Sequence, residues 1–147
     1  MIIRLYLPED ETAVIDLWFK CNLVVTWNNP KRDIERKLKI DRELFLVGLI
    51  DDKIVASVMG GYEGHRGWIN YLAVDPDYRR QGLGREIMDA VEERIRTFGA
   101  AKINLQVRMS NEEAIKFYES IGYKVEKIIN MGKRLQEDPP YEKPPEK

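Results

Sequence analysis

The residues best suited to chemistry form one loop, residues 79–84, with the sequence Arg-Arg-Gln-Gly-Leu-Gly. The loop lies between an apolar, strand-forming run at 68–74 and a stretch whose apolar residues recur at helical spacing. The first turn of a helix has unpaired N–H groups and the positive end of the helix dipole. Glycines let a ligand approach the backbone, and arginines donate paired hydrogen bonds to an anion. The loop therefore predicts a cradle for phosphate or pyrophosphate.

A second interpretation of the same loop is an ordinary strand–helix turn with a solvated basic edge. The loop is not of the nucleoside-triphosphate type, because it lacks Gly-x-x-x-x-Gly-Lys-Ser/Thr. It also lacks the three spaced glycines of a dinucleotide fingerprint. From composition alone, both the anion cradle and the plain turn stay open.

Asn111 and Tyr118 are the second pair of interest. They are seven residues apart, close to two helical turns, so they share one face of a helix. An amide above a phenol near the start of a short helix suits the lining of a narrow channel. The alternative is a capping asparagine and a buried tyrosine whose hydroxyl is satisfied inside the protein.

The elements that position these residues follow from hydrophobic spacing and cap signals. Strands are predicted at 2–7, 44–50, 53–59, 68–74, 102–107, 123–129 and 130–135, with helices starting at residues 8 and 30, after the loop, and at 111. Asn29 and Pro30 suit a helix start, and Ser110 with Glu113 matches a capping box. The glycine pair at 60–61 is expected to end its strand.

Further local signals refine this order. Asp51-Asp52 suits a hairpin turn, and Gly99 and Gly122 suit the left-handed residue that follows a helix. Cys21 falls on the apolar face of the first helix and is expected to face the core. The order βααβββαβαββ predicts an α/β or α+β fold, a mixed, mainly antiparallel twisted sheet with helices on both faces.

Composition sets limits on the class of protein. The chain has 147 residues, 44% hydrophobic and 33% charged, which predicts one globular domain at 1–136. The proline-rich, charged tail at 137–147 is predicted to be disordered. A net charge of -1 predicts no nucleic-acid or membrane partner, and no apolar run approaches the ~20 residues of a membrane span. A single cysteine favours a reducing, cytoplasmic compartment.

The motif Arg79-x-x-Gly82-x-Gly84 resembles the acetyl-CoA motif of the GNAT superfamily of N-acetyltransferases, Gln/Arg-x-x-Gly-x-Gly/Ala. The flanking LAVDPDYRRQGLG and the downstream NEEAIKFYESIGY strengthen the resemblance, which extends over roughly 1–135. The stretches GGYEGHRG and GKRL resemble a group of small bacterial acetyltransferases in particular. The resemblance implies the GNAT fold, acetyl-CoA as co-substrate and a primary amine as acceptor: a small metabolite, a peptide N-terminus or a protein lysine.

The resemblance also implies roles for individual residues. Tyr118 is expected to act as general acid and to protonate the departing CoA thiolate. Asn111 is expected to contact the pantetheine arm or the adenosine-phosphate end. The full set of expected acetyl-CoA contacts is Leu72, Ala73 and Val74 on the core strand, Arg79, Arg80, Gln81, Gly82, Leu83, Gly84 and Arg85 in the loop and helix start, and Asn111.

The residue that usually acts as general base in the family cannot be assigned in this chain. Many relatives have a glutamate where this chain has Trp68, and others have one where it has Gln106. Glutamine cannot accept the proton. Glu63 and His65, before the core strand, are the local candidates, because His65 can titrate near neutral pH. A structural histidine and a proton path through water are the alternatives.

Other chemistries are poorly supported by the sequence. One cysteine and one histidine cannot build a zinc centre, so no metal is expected. No nucleophile arrangement is evident, which favours direct transfer in a ternary complex, by a monomer or a homodimer. Two rival hypotheses are an acyl-CoA-binding module without catalysis and an unrelated phosphate-ligand domain.

Overall fold

In the computed structural model, which describes residues 1–145, the chain forms five strands and four helices. They are β1 (Ile2–Leu5), α1 (Glu11–Lys20), α2 (Pro30–Lys37), β2 (Phe45–Ile50), β3 (Lys53–Tyr62), β4 (Gly67–Val74), α3 (Leu83–Thr97), β5 (Ile103–Leu105) and α4 (Glu112–Ser120). Short 3-10 turns lie at Pro8–Asp10, Arg42–Leu44 and Pro76–Tyr78.

The strands form one sheet in the order β1-β2-β3-β4-β5. Neighbours from β1 to β4 are antiparallel, whereas β4 and β5 are parallel and are connected through α3. Antiparallel strands need only short turns, but a parallel pair requires a crossover such as a helix. The expected mixed, mainly antiparallel sheet is therefore confirmed.

Each face of the sheet has its own hydrophobic core. On one face, Trp18 of α1 and Ile34 of α2 pack with Phe45 of β2. On the other face, Ile87 and other apolar residues of α3 pack on the opposite side of β2 and β3. Because successive strand residues point to opposite faces, β2, β3 and β4 each contribute to both cores. The prediction of helices on both faces is confirmed.

A bulge in β4 interrupts its regular pairing with β3. Ser57 of β3 pairs with Ala73, but Met59 pairs with Asn70, so two steps on β3 match three on β4. Tyr71 lies in this bulge with a φ of +51°, in the left-handed region that tyrosine rarely adopts. The parallel ladder to β5 ends at the pair formed by Ile69 and Leu105. Beyond that pair β4 continues to Val74 with no strand paired on its β5 side, and we call this unpaired side of residues 70–74 the slot.

The two predicted closing strands, 123–129 and 130–135, are wrong, because the structure has no strand after α4 in its described residues. Glu126 instead contacts β5 through the side chains of Lys102 and Asn104, and Asn130 accepts from Gln106. A strand-forming sequence becomes a strand only where a partner completes its ladder. The strand expected at 102–107 is likewise reduced to β5, whose ladder stops at the slot.

The strand break expected at Gly60-Gly61 is also wrong, because β3 runs through both glycines to Tyr62. A Cβ built on Gly60 would lie 2.7 Å from Val91 and 3.2 Å from Ile95 of α3. Glycine is needed at position 60 to let α3 approach the sheet, and its backbone is ordinary strand.

The capping box at Ser110 is corrected to a cap one residue later. Asn111 is the N-cap of α4, and its side-chain oxygen accepts from the N–H of Ala114 at 3.1 Å. Helix α4 begins at Glu112, so Asn111 and not Ser110 occupies the N-cap position, for which asparagine is among the best residues. The cap at Asn29 and the left-handed residues Gly99 (φ +99°) and Gly122 (φ +102°) are confirmed.

The described part of the tail lies along α1 and α2. Asp138 forms an ion pair with Arg36, and the carbonyl of Pro139 accepts from the side chain of Asn29 at 2.7 Å. Tyr141 packs near Phe19, with ring centroids 6.0 Å apart. Disorder of 137–147 stays a prediction, and Glu146 and Lys147 lie outside the described residues.

Candidate active site

The loop before α3 ends in an uncapped helix start. Gly82 is the N-cap with a φ of +78°, and it has no side chain to accept from the first turn. The first helical hydrogen bond joins the N–H of Glu86 to the carbonyl of Gly82 at 3.1 Å. The N–H groups of Leu83, Gly84 and Arg85 precede this bond and have no acceptor within the helix. A Cβ on Gly82 would meet no atom within 4 Å, so the space above the helix start is open.

The three arginines of the loop differ in their contacts. Arg79 donates from Nε to the carbonyl of Val74 at 3.3 Å, which folds its side chain back onto β4. Arg85 donates to the carbonyl of Ser120 at 3.0 Å and ties α3 to the end of α4. Arg80 is exposed and has a φ of +64°. The free N–H groups of the helix start and the exposed side chains of Arg80 and Gln81 are therefore the donors of the loop that are open to a ligand.

Helix α4 packs against the cradle through Phe117. A Cβ on Gly84 would lie 3.0 Å from the Phe117 ring and 3.7 Å from Val74, so glycine allows the three elements to meet. Tyr118 is the next residue, in edge-to-face contact with Phe117 (centroids 5.3 Å apart) and Tyr123 (5.7 Å). The structure thus places Tyr118 beside the elements that bound the slot.

Among residues 1–145, the hydroxyl of Tyr118 has no hydrogen-bond partner. Burial raises the pKa of Tyr118 to about 12, and no hydrogen bond contributes to this pKa. The neighbouring Tyr123, by contrast, donates to Glu92 at 2.7 Å. A phenol with a raised pKa stays protonated at neutral pH, so the Tyr118 hydroxyl can donate a proton or a hydrogen bond to a bound group.

The three strand residues expected to bind acetyl-CoA line the slot where β4 leaves β5. Leu72 and Val74 pack on the α3 side, whereas Ala73 belongs to the core on the α1 side. The carbonyl of Val74 already accepts from Arg79 and, at 3.3 Å, from the thiol of Cys21. A pantetheine amide at Val74 must therefore share or displace these donors. Burial raises the pKa of Cys21, which suits a structural thiol.

Asn111 is a capping residue, the alternative to a channel-lining role, because its side-chain oxygen caps α4. The cap uses only this oxygen, so the side-chain N–H groups of Asn111 are available to a ligand. Asn111 and Tyr118 belong to the same short helix, at its start and in its last turn.

The two candidate bases lie at the opposite end of β4 from the slot. Glu63 and His65 belong to the exposed loop before Gly67, whereas Leu72 lies five residues further along the strand. At ~3.3 Å per residue this is about 16 Å. Glu63 accepts from the N–H groups of His65 and Arg66 and so stabilises its own turn. The structure does not bring Glu63 or His65 together with Tyr118.

A second group of polar residues, missed from the sequence, lies on the other face of β4. The hydroxyl of Tyr71, in the bulge, donates to Asp33 of α2 at 2.5 Å and accepts from Asn28 at 2.7 Å. Across the slot, the guanidinium of Arg108 lies 4.8 Å from the ring centroid of Trp27, which is 52% exposed. No sequence signal connects Tyr71 with Asp33, because 38 residues separate them.

The sequence profile of the acetyltransferase (GNAT) family matches residues 12–123. The chain therefore belongs to the GNAT family, and it is an acetyl-CoA-dependent N-acetyltransferase. An acetyltransferase of Pectobacterium atrosepticum is 45% identical over 141 residues, which is 96% of this chain and 100% of that protein.

Solved structures agree with this assignment. Ard1 from Thermoplasma volcanium has a TM-score of 0.73 at 25% identity, covering 85% of this chain and 83% of that chain. The ribosomal-protein-S18-alanine N-acetyltransferase from Escherichia coli has a TM-score of 0.68 at 26% identity, covering 82% and 76% respectively. The GNAT fold implied by the sequence motif is confirmed.

Residues 1–145 contain neither a cluster of metal-binding side chains nor a membrane-spanning helix. Those residues hold no group of three or more histidine, cysteine, aspartate or glutamate side chains that could hold a metal ion. No helix within the same range is long and apolar enough to cross a membrane.

Proposed function

We propose that the protein transfers the acetyl group of acetyl-CoA to a primary amine by direct attack in a ternary complex. The observation that carries the proposal is one arrangement around the slot. An uncapped helix start at Gly82 lies at one side, the freed end of β4 lies along it, and the unpartnered hydroxyl of Tyr118 is beside it. These three features match a pyrophosphate, a pantetheine arm and a thiolate leaving group.

The cofactor is bound mainly by backbone groups. N–H groups from Gln81 to Arg85 hold the pyrophosphate, because a helix start combines free donors with a positive dipole. The carbonyls of Leu72 and Val74 pair with pantetheine along the slot. N–H groups around Leu72 and Ala73 hold the acetyl oxygen and stabilise the negative charge that develops on it during attack.

Tyr118 protonates the leaving group. When the amine has added to the carbonyl carbon, the carbon–sulfur bond breaks and its electron pair stays on sulfur. The Tyr118 hydroxyl donates its proton to this thiolate, a role that its raised pKa of about 12 permits because the phenol is protonated before reaction.

The proton released by the amine leaves through water in this proposal. The two positions that carry a glutamate in relatives are Trp68, half-buried on β4, and Gln106, which donates to Asn130. Neither side chain accepts a proton at neutral pH. Glu63 and His65 are far along β4, so a chain of water molecules is the better path.

The acceptor class is a primary amine: a small metabolite, a peptide N-terminus or a protein lysine. Among the structural neighbours, the Escherichia coli enzyme is named for the alanine of ribosomal protein S18. A metal is not needed for any step described above. We place the enzyme in the cytoplasm as a monomer or homodimer, without a nucleic-acid or membrane partner.

Thermal unfolding with acetyl-CoA, with ATP and without ligand tests the cofactor assignment. A ligand at ~100 times its Kd adds roughly 2.7 kcal/mol to stability, which raises the Tm of a domain of this size by several degrees. We expect that rise with acetyl-CoA and none with ATP. No rise at millimolar acetyl-CoA, or an equal rise with ATP, contradicts the proposed mode of acetyl-CoA binding.

Release of free CoA on mixing the protein with acetyl-CoA and a panel of primary amines tests the transfer to an amine. Amine-dependent release supports the proposal, and binding of acetyl-CoA without release for any amine contradicts it.

A further inference from the structure

Tyr71 connects the cofactor strand to a carboxylate on the opposite face of the sheet. Its ring stacks on Trp18 of α1, with centroids 3.9 Å apart. Its hydroxyl donates to Oδ2 of Asp33 at 2.5 Å and accepts from the amide of Asn28 at 2.7 Å. Asn28 in turn accepts from the N–H of Val25 and donates to the carbonyl of Leu23, so it also fixes the loop between α1 and α2.

The face on which Asp33 lies is the one from which an acceptor must approach. The cradle at Gly82, with α4, lies on the α3 side of β4, and Leu72 and Val74 pack on that side. Tyr71 and Ala73 alternate with them and belong to the α1 and α2 side. A cofactor that enters from α3 leaves only the other face open to a nucleophile attacking its acetyl carbon.

The carboxylate of Asp33 has spare capacity for a ligand. An ionised carboxylate offers about four acceptor sites, and two contacts are formed here, from Tyr71 and from Arg36 at 3.2 Å. Arg36 is itself held by both oxygens of Asp138 at 2.7 and 2.5 Å. The Asp33 side chain is 28% exposed, so a solute can reach it.

We propose that Asp33 binds the ammonium group of the acceptor and that Tyr71 positions its carboxylate for this contact. The bound nitrogen gives one proton to water and then attacks the acetyl carbon as the neutral amine. The enzyme then selects cationic amines, such as alkylamines and the side chain or N-terminus of a peptide, over amines that are uncharged at neutral pH. This inference rests on the proposed function, because it assigns the acceptor side of the same site.

A purely structural role for the network makes a different prediction. If Asp33 only attached α2 to the sheet, Asp33→Asn would be nearly silent in kinetics, because the amide oxygen still accepts from Tyr71. If Asp33 binds a cation, the same variant removes the negative charge and weakens acceptor binding. Glu35→Gln is the matched control on the same helix, because Glu35 is exposed and pairs with Arg32 at 3.7 Å.

The test measures kcat and KM for each protein with acetyl-CoA and two acceptor sets. One set contains alkylamines, lysine and spermidine, and the other contains aniline and substituted anilines, which are uncharged at neutral pH. For Asp33→Asn we expect a rise in KM of roughly 10- to 100-fold for the cationic set, the factor of a charged hydrogen bond. We expect kcat, acetyl-CoA affinity and the aniline rates to stay within about twofold, and Asp33→Glu to restore part of the loss.

The outcomes separate this inference from the proposed function. Equal KM values for wild type and Asp33→Asn on cationic amines overturn the inference and leave the acetyltransferase intact. A preference of the wild type for anilines, or an equal rise in KM for both acceptor sets, overturns it as well. No CoA release with any amine overturns the proposed function and the inference together.

Discussion

Tyr118 and Tyr71 lie on opposite faces of the sheet, and burial raises the pKa of both. The Tyr118 hydroxyl has no internal hydrogen bond that affects its pKa, whereas the Tyr71 hydroxyl is held between Asn28 and Asp33. A hydroxyl without a partner can give its proton to a ligand. One that is bonded on both sides contributes to structure and orientation. In the mechanism proposed above, the two faces of the site therefore have different tasks, chemistry at α4 and positioning at α2.

Removal of the Tyr118 hydroxyl should have the largest effect of the five changes considered. We expect Tyr118→Phe to lower kcat by at least roughly 100-fold, the usual contribution of a positioned acid. Acetyl-CoA affinity should stay within about twofold, because the ring and its packing are kept. In wild type the hydroxyl is protonated at every pH well below about 12, so it should cause no loss of rate between pH 7 and 10.

Steady-state kinetics with a verified acceptor check this prediction. Tyr123→Phe is the control, because it removes a neighbouring hydroxyl that is bonded to Glu92. An unchanged kcat in Tyr118→Phe would remove the general acid from the mechanism and make the two tyrosines equivalent.

Gly82→Val should weaken cofactor binding on the same face. The side chain would enter the open space above the helix start, where the pyrophosphate is proposed to bind. We expect the Kd for acetyl-CoA to rise by roughly tenfold or more, the value of one charged hydrogen bond. The positive φ of Gly82 adds a stability cost of about 1–2 kcal/mol.

Gly64→Val separates these two effects. Gly64 has a φ of +99° and open space around its Cβ position, but it lies in the loop at the other end of β4. It should lose similar stability and no acetyl-CoA affinity, as measured by calorimetry. Equal affinity in Gly82→Val and wild type would show that the helix start is an ordinary turn.

Tyr71→Phe should affect stability more than chemistry. The change keeps the ring on Trp18 but removes the hydroxyl bonded to Asn28 and Asp33. We expect the free energy of unfolding to fall by about 1.5–3 kcal/mol, with acetyl-CoA affinity within about twofold. Denaturant unfolding measures the loss, and Tyr62→Phe, whose hydroxyl contacts the exposed carbonyl of Gly64, should lose less. A large fall in acetyl-CoA affinity would contradict the division between the faces.

Most elements of the fold could be predicted, because local pattern determines them. The helix start at Asn29 and Pro30 and the hairpin turn at Asp51-Asp52 depend on neighbouring residues only. The errors occur where distant residues decide. Gly60 continues β3 because α3 packs against it, and 123–135 forms no strand because no partner strand completes its ladder.

The candidate site divides in the same way. The cradle and Tyr118 could be found because each lies within a short continuous sequence motif. The family resemblance then assigned a role to each. Tyr71, Asn28 and Asp33 could not, because the bulge that turns Tyr71 toward α2 depends on the register between β3 and β4. Glu63 and His65 were selected because they are titratable groups close in sequence to the core strand, but about 16 Å of β4 separates their loop from the slot.

Glu63→Gln and His65→Ala test this separation and should have the smallest effects. Both residues lie in the loop before β4, about 16 Å of strand from Leu72, and Glu63 is engaged with the N–H groups of its own turn. We expect kcat and KM to stay within about twofold of wild type between pH 6 and 9, since neither group reaches the acetyl carbon. A loss of rate whose pH dependence disappears in His65→Ala would instead make His65 the base. The acceptor would then have to enter at the start of β4, and the assignment of the acceptor to the α2 face would be wrong.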